Sequence, residues 1–122
     1  MNTIFIVMGN YADYEGSWRW PVVAHSDWGE ANVKAEELAA QAQLLDEAWA
    51  AYRTNVNKND EWDLVQYRAL RTNEERQVVL TERARLLEVQ NVEQERLTKE
   101  HPDPNFRLGD GISYSVEPIE LL

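Results

Sequence analysis

Residues 1–25 contain two apolar runs separated by a polar segment. Residues 4–8 are apolar without interruption, which is typical of a central strand covered on both faces. The polar segment runs from Gly9 to Gly16, and the second apolar run occupies residues 18–24. Pro21 lies in that run and has no amide N–H, which favours the edge of a sheet. The pattern predicts a β-hairpin with its turn over Gly9–Gly16, a middle first strand and an edge second strand.

Residues 28–53 have the period of an amphipathic helix, and Asp27 precedes them as a candidate N-cap. One apolar seam follows steps of three and four residues: Ala31, Ala35, Leu38, Ala42, Leu45, Trp49 and Tyr52. A second apolar stripe on the same helix consists of Val33, Ala40, Leu44, Ala48 and Ala51. One neighbouring element cannot cover both. The helix therefore either lies inside the domain or uses the second stripe as an interface.

The middle of the chain predicts two more helices. Polar residues 54–60 predict a break, and Asp60 and Asp63 can cap a short helix that ends near Ala69. Thr72 and Glu75 match a capping box, so a long helix is expected over residues 73–100, with its last two turns mostly exposed to solvent.

The last segment predicts a return to the sheet. Pro102 and Pro104 end the long helix because proline disfavours helical geometry in the residue before it. Residues 112–117 then alternate between apolar and polar side chains, which predicts a third strand that stops at Pro118.

These elements predict an α+β fold of one domain, residues 1–122, in the order β-β-α-(α)-α-β. A sheet of about three strands, antiparallel or mixed, forms a platform from residues 3–25 and 110–118, and a helical hairpin over residues 27–101 forms an arm. Strands of about five or six residues span about 17–20 Å, whereas the two long helices reach about 39–42 Å. The helices are therefore expected to overhang the sheet and to pack against each other, a second copy or a target.

The charge balance restricts the classes of partner. The chain has 12 Lys and Arg against 22 Asp and Glu, a net charge of −10, so a basic nucleic-acid-binding surface is not expected. An acidic nucleic-acid mimic is one alternative, because the first long helix is rich in carboxylates. There is no cysteine, which excludes disulfides and thiolate chemistry. Without a recognisable signal peptide or membrane helix, a cytoplasmic location is expected.

The predicted hairpin carries the densest mixture of aromatic and charged side chains. Its candidate partner-binding or ligand-binding residues are Tyr11, Asp13, Tyr14, Trp18, Arg19 and Trp20. Aromatic rings and a guanidinium can stack on a base and meet a phosphate, and the same residue types dominate protein contacts. The opposing interpretation is that Trp18 and Trp20 belong to the core.

Catalysis receives less support from the sequence. Asp13 and Glu15 offer a carboxylate pair for a small hydrolase, as an alternative function. The two histidines, His25 and His101, have no metal-binding spacing, and His101 is expected at a helix C-terminus, where a positive charge is favourable. We therefore predict a protein that is not an enzyme and that has no metal site and no cofactor.

The two ends of the chain carry a resemblance. The segments IFIVMGNYADYE (residues 4–15), VVAHS (residues 22–26) and DGISYSVEPI (residues 110–119) resemble the first and last strands of small, mostly uncharacterised bacteriophage accessory proteins. The resemblance implies a phage protein that blunts a host defence system. The leading hypothesis is a homodimeric, non-catalytic inhibitor that occludes a host defence or regulatory protein. A sponge for a nucleotide-type signal is the next alternative.

Overall fold

The computed structural model describes residues 2–59, 69–70 and 72–121. Its elements are β1 (Asn2–Asp13), β2 (Gly16–His25), α1 (Trp28–Asn59), α2 (Asn73–Glu100) and β3 (Ser113–Leu121). The three strands form one antiparallel sheet in the order β2-β1-β3. The predicted α+β fold is confirmed, and so are the middle position of β1 and the edge position of β2.

The β1–β2 hairpin is longer than the sequence pattern predicts. Asp13 pairs with Gly16, so the connecting turn contains only Tyr14 and Glu15, and the predicted turn over Gly9–Gly16 is wrong. β1 has 12 residues and β2 has 10. At about 3.3 Å per residue β1 spans about 40 Å, against about 48 Å for the 32 residues of α1. The strands are therefore longer than expected, and strand length no longer gives a reason for the helices to extend beyond the sheet.

A β-bulge shapes the edge strand. Val7 pairs with Val23 but Met8 pairs with Pro21, so Val22 is an extra residue on β2. Val22 and Val23 both pack against the buried cluster around Val7. The bulge thus lets two consecutive valines contribute to the core.

Helix α1 packs its predicted seam against the helix-facing side of the sheet. Asp27 caps it by accepting a hydrogen bond from the Glu30 N–H at 2.9 Å. Ala31 and Leu38 are fully buried, in a cluster with Val7 of β1. The seam is confirmed from Ala31 to Tyr52, as its residues are buried or half-buried.

The predicted break after residue 53 is wrong, because α1 continues to Asn59. The Thr54 hydroxyl donates back to the Ala50 carbonyl at 2.9 Å, which satisfies this polar side chain inside the helix. The predicted short helix lies, apart from Ala69, outside the described residues.

Helix α2 packs beside α1 rather than on the sheet. The capping box is confirmed, since the Glu75 N–H donates to the Thr72 hydroxyl at 3.1 Å and the Glu75 carboxylate accepts from the Thr72 N–H. Its last two turns are mostly exposed to solvent, as expected, and Leu97 is their one buried residue. Leu97 is buried there against Ala42 and Leu45, because the segment that follows α2 brings this end of the helix back to the core.

The two helices run antiparallel, as expected for a helical hairpin. The C-terminal end of α2, at Leu97, packs near Ala42, whereas Gln90 borders one groove with Trp49 and Arg53, further along α1. The preceding turns of α2 expose most of their apolar side chains: Val78, Leu80, Leu87, Val89 and Val92.

The two faces of the sheet have different surroundings. Val7 and its same-face neighbours pack under α1, whereas the alternate residues Ile4, Ile6 and Met8 point to the other face. Within the described residues, neither helix covers that face. Ile4, Ile6 and Met8 are half-buried there.

Strand β3 continues past its predicted end. It runs through Pro118, which lies opposite Phe5, to Leu121. An edge strand tolerates a residue without an amide N–H, so proline does not end it here.

The segment between α2 and β3 is part of the core, although its prolines and glycines gave it the sequence pattern of a loop. Phe106, Leu108 and Ile112 are buried and pack with Leu45 and Leu97. This segment connects the end of α2 to the sheet, and it contains the buried polar residue Asp103.

Candidate binding surfaces

A buried carboxylate organises one end of the sheet. Asp103 is only 2% exposed. Its Oδ2 atom accepts hydrogen bonds from the Trp20 indole N–H at 2.9 Å and the Tyr114 hydroxyl at 2.8 Å, and Oδ1 accepts from the Asn105 backbone N–H at 3.0 Å. Together with His101, these side chains are called the Asp103 cluster. Its donors compensate the burial of the carboxylate.

The hydrogen bonds of His101 fix its tautomer. Its Nδ1 atom accepts from the Asp103 backbone N–H at 3.0 Å, and its Nε2 atom lies 2.9 Å from the Leu38 carbonyl oxygen. A carbonyl can only accept, so Nε2 donates this hydrogen bond. His101 is the C-cap of α2, so its expected position at a helix C-terminus is confirmed. Its buried ring stacks on Phe106 and joins α1 to the segment after α2.

The Asp103 cluster predicts a specific loss of stability at alkaline pH. Burial, followed by the hydrogen bond to Asp103, raises the pKa of the Tyr114 hydroxyl above its usual value of 10.0. The folded protein keeps this proton where the unfolded chain has lost it. The free energy of unfolding should therefore fall as pH rises above about 10.

Urea unfolding at a series of pH values from 9 to 11 measures this effect. Tyr114→Phe should be less stable at neutral pH but should lose less stability across that range than the unmodified protein. Equal slopes in the two proteins would contradict the assignment to Tyr114.

A cleft of about 420 Å³ opens beside this cluster, between the hairpin and the segment after α2. We call it the aromatic cleft; its lining residues are Tyr11, Trp18, Arg19, Trp20, Asn105 and Arg107. The rings of Tyr11 and Trp18 stack across the two strands with centroids 5.4 Å apart. The Arg107 guanidinium lies 5.7 Å from the Tyr11 centroid, a cation–π contact.

The structure separates the six hairpin residues predicted as one site. Tyr11 and Trp18 line the cleft. Trp20 donates to Asp103 and packs against the core, so the interpretation that it is a core residue holds. It also borders the cleft. Arg19 borders the cleft, but its guanidinium lies on the face away from the helices, where it donates to Asn10 at 2.9 Å and pairs with Glu117 at 3.5 Å.

The remaining two residues lie at the hairpin turn. Asp13 accepts from the Tyr11 hydroxyl at 3.0 Å and from the Glu15 N–H at 2.8 Å, and the bond to Asp13 raises the pKa of Tyr11. Tyr14 is 96% exposed and lies in solvent. Both oxygens of Asp13 are thus engaged in holding the turn and Tyr11. Asn105 and Arg107 were not identified from the sequence.

The second candidate surface is the α1 stripe, which consists of Val33, Ala40, Leu44, Ala48 and Ala51. All five residues are exposed, with Val33 at 55% and Leu44 at 66%. Carboxylates lie along it: Glu37 lies four residues after Val33 and three before Ala40, and Glu47 lies three residues after Leu44. The stripe is therefore a row of exposed apolar side chains with acidic residues among them.

Two features are absent from the part of the chain that the structure describes. No helix there is both long and apolar enough to cross a membrane. No three histidine, aspartate or glutamate side chains there converge in a way that could hold a metal ion.

Known protein families, curated proteins and solved structures were compared with this chain, and none of them matches it. The resemblance to bacteriophage accessory proteins therefore stays a prediction, and function has to be argued from the two surfaces.

Proposed function

We propose that the protein is a non-catalytic binding protein that holds a partner protein on the α1 stripe. The observation that carries this proposal is the exposure of Leu44, which is two-thirds accessible at the centre of the stripe. The opposite side of α1 is buried in the core from Ala31 to Leu45. Exposed apolar side chains that lie beside charged ones on one helix face are typical of protein-interaction sites.

The charges around the stripe indicate the chemistry of the partner. Glu37 and Glu47 lie along it, and the whole protein has a net charge of −10. A basic amphipathic helix, with apolar residues along one side and Lys or Arg beside them, complements both features. The α1 helix of a second copy would bring like charges together, so this stripe favours a different protein over a homodimer.

The alanines of the stripe support the same mode of binding. Ala40, Ala48 and Ala51 have short side chains, so the backbone of a partner helix can approach α1 closely, while Val33 and Leu44 supply the larger apolar contacts. The resemblance would make the partner a host defence or regulatory protein in the cytoplasm, and that part of the hypothesis follows from the resemblance alone.

Site-specific photo-crosslinking in a cell lysate tests the proposal. A photoreactive amino acid is introduced at position 44 or, as the control, at position 39, which is exposed on the same helix but outside the stripe. Position 44 should give a crosslink to one defined protein that weakens as salt is raised. The purified partner should then bind Leu44→Asp at least about tenfold more weakly, since an apolar hot spot contributes about 2 kcal/mol or more.

Ala39→Asp is the matched control, because it adds the same charge to the same helix and should leave the affinity unchanged. Equal crosslinking from both positions would contradict the proposal. Crosslinks that join only two copies of this chain would contradict a separate partner protein and would show that the stripe mediates self-association.

A further inference from the structure

The aromatic cleft has the size and the walls of a small-molecule site. Its volume of about 420 Å³ lies within the usual range for ligand pockets. Trp18 forms one wall and is 48% exposed, so its indole presents a large flat surface to solvent. The stacked Tyr11 ring holds it in place from the neighbouring strand. A planar ring can therefore stack on Trp18 without the hairpin being reorganised.

The second feature is an arginine without a counter-ion. Arg19, Arg85 and Arg96 each pair with a glutamate. Arg107 forms no ion pair with any residue that the structure describes, and its guanidinium lies over Tyr11 at the cleft. In a protein with a net charge of −10, this guanidinium is a local positive charge of the kind that pairs with carboxylates and phosphates.

The third feature is a free amide. The backbone N–H of Asn105 is bound to Asp103, so the position of the residue is fixed. Its side-chain amide has no hydrogen-bond partner among the described residues and borders the cleft. A primary amide offers both a donor and an acceptor, the combination that pairs with the edge of adenine.

We infer that the aromatic cleft binds a purine nucleoside monophosphate. In this arrangement the base stacks on Trp18, the Asn105 amide contacts the base edge, and Arg107 binds the phosphate. One phosphate suits the site better than three, because Arg107 is its one unpaired cation within the described structure. Asp13 and Asp110 lie close enough to raise the pKa of the Tyr11 hydroxyl, and they would repel additional negative charge.

Isothermal titration calorimetry with AMP, adenosine and ATP tests this inference on the full chain. AMP should bind more tightly than either adenosine or ATP. Arg107→Gln should weaken AMP binding about tenfold or more, since a hydrogen bond to a charged group contributes more to affinity than one between neutral groups. Trp18→Leu should weaken all three ligands.

Two matched control variants distinguish binding in the cleft from the general effect of losing an arginine or a tryptophan. Arg53 lies over the Trp49 ring at 6.0 Å, outside the cleft, so Arg53→Gln removes an equivalent cation and should not change AMP binding. Trp28 is another exposed tryptophan, in contact with Phe5, and Trp28→Leu should likewise have no effect. Circular dichroism confirms that each variant is folded.

Three results would overturn the inference. One is the absence of AMP binding at millimolar concentration, another is an equal loss of affinity in Arg107→Gln and Arg53→Gln, and the third is tighter binding of ATP than of AMP. The inference is independent of the proposed protein partner, since Leu44→Asp should leave AMP binding intact.

Discussion

Asp103→Asn should destabilise the protein by about 3 kcal/mol or more, although the two side chains have nearly the same shape. Every group around the carboxylate is a donor: the Trp20 indole N–H, the Tyr114 hydroxyl and the Asn105 backbone N–H. An amide must place its own NH₂ against at least one of them. The variant thus loses a hydrogen bond to a charged group and leaves a buried donor unpaired, two costs of about 1–3 kcal/mol each.

Urea unfolding monitored by circular dichroism measures this loss, with Asp110→Asn as the control. Asp110 is an exposed carboxylate in the same segment, so its replacement should change the free energy of unfolding by less than about 0.5 kcal/mol. Tyr114→Phe should cost less in the Asp103→Asn background than alone, because the two residues share one bond. If Asp103→Asn is as stable as Asp110→Asn, the Asp103 cluster does not contribute to the free energy of unfolding as proposed.

Gly9→Ala should cost about 2–4 kcal/mol, a large effect for one added methyl group. Gly9 is buried opposite Trp20, and a Cβ atom there would lie 2.6 Å from Trp20 Cζ2 and closer still to Cε2 and Nε1. The indole cannot simply turn aside, because its N–H is bound to the buried carboxylate of Asp103. The variant must either strain the strand or break that bond.

The matched control for this prediction is Gly29→Ala at the start of α1. It adds the same methyl group where only the Asp27 carboxylate is near, at 3.1 Å, and should change stability by no more than about 1 kcal/mol. Near-ultraviolet circular dichroism should show a changed tryptophan environment in Gly9→Ala alone. If both variants unfold at the same urea concentration, the close packing of Trp20 on Gly9 is not what holds this part of the sheet.

Much of the fold could be predicted because local patterns determine it. The period of three and four residues from Ala31 to Tyr52 identified the buried side of α1, and the Thr72–Glu75 pair located the start of α2. Residues 10–13 were missed as strand because they are mostly polar. Asn10 is stabilised there by Arg19 and by Ser115, 105 residues away, and no local pattern records such a contact.

The site was harder to predict than the fold. Asp103 lies among prolines, and its partners Trp20 and Tyr114 come from the second and the last strands. Arg107 was missing from the predicted site for the same reason, since the residues it meets in the fold are distant in sequence. One signal was available, since a glycine inside an apolar strand, such as Gly9, often marks the close approach of another group.

The pairing of β1 with β3 also has a consequence for how the chain reaches its native state. Asn2 lies opposite Leu121 and Asn10 opposite Ser113, so this half of the sheet joins segments more than 100 residues apart in sequence. Contacts of such high sequence separation carry a large loop-closure entropy and slow folding. During synthesis the β1–β2 hairpin and α1 can form first, but β1 has no neighbour on its other edge until the last strand has left the ribosome.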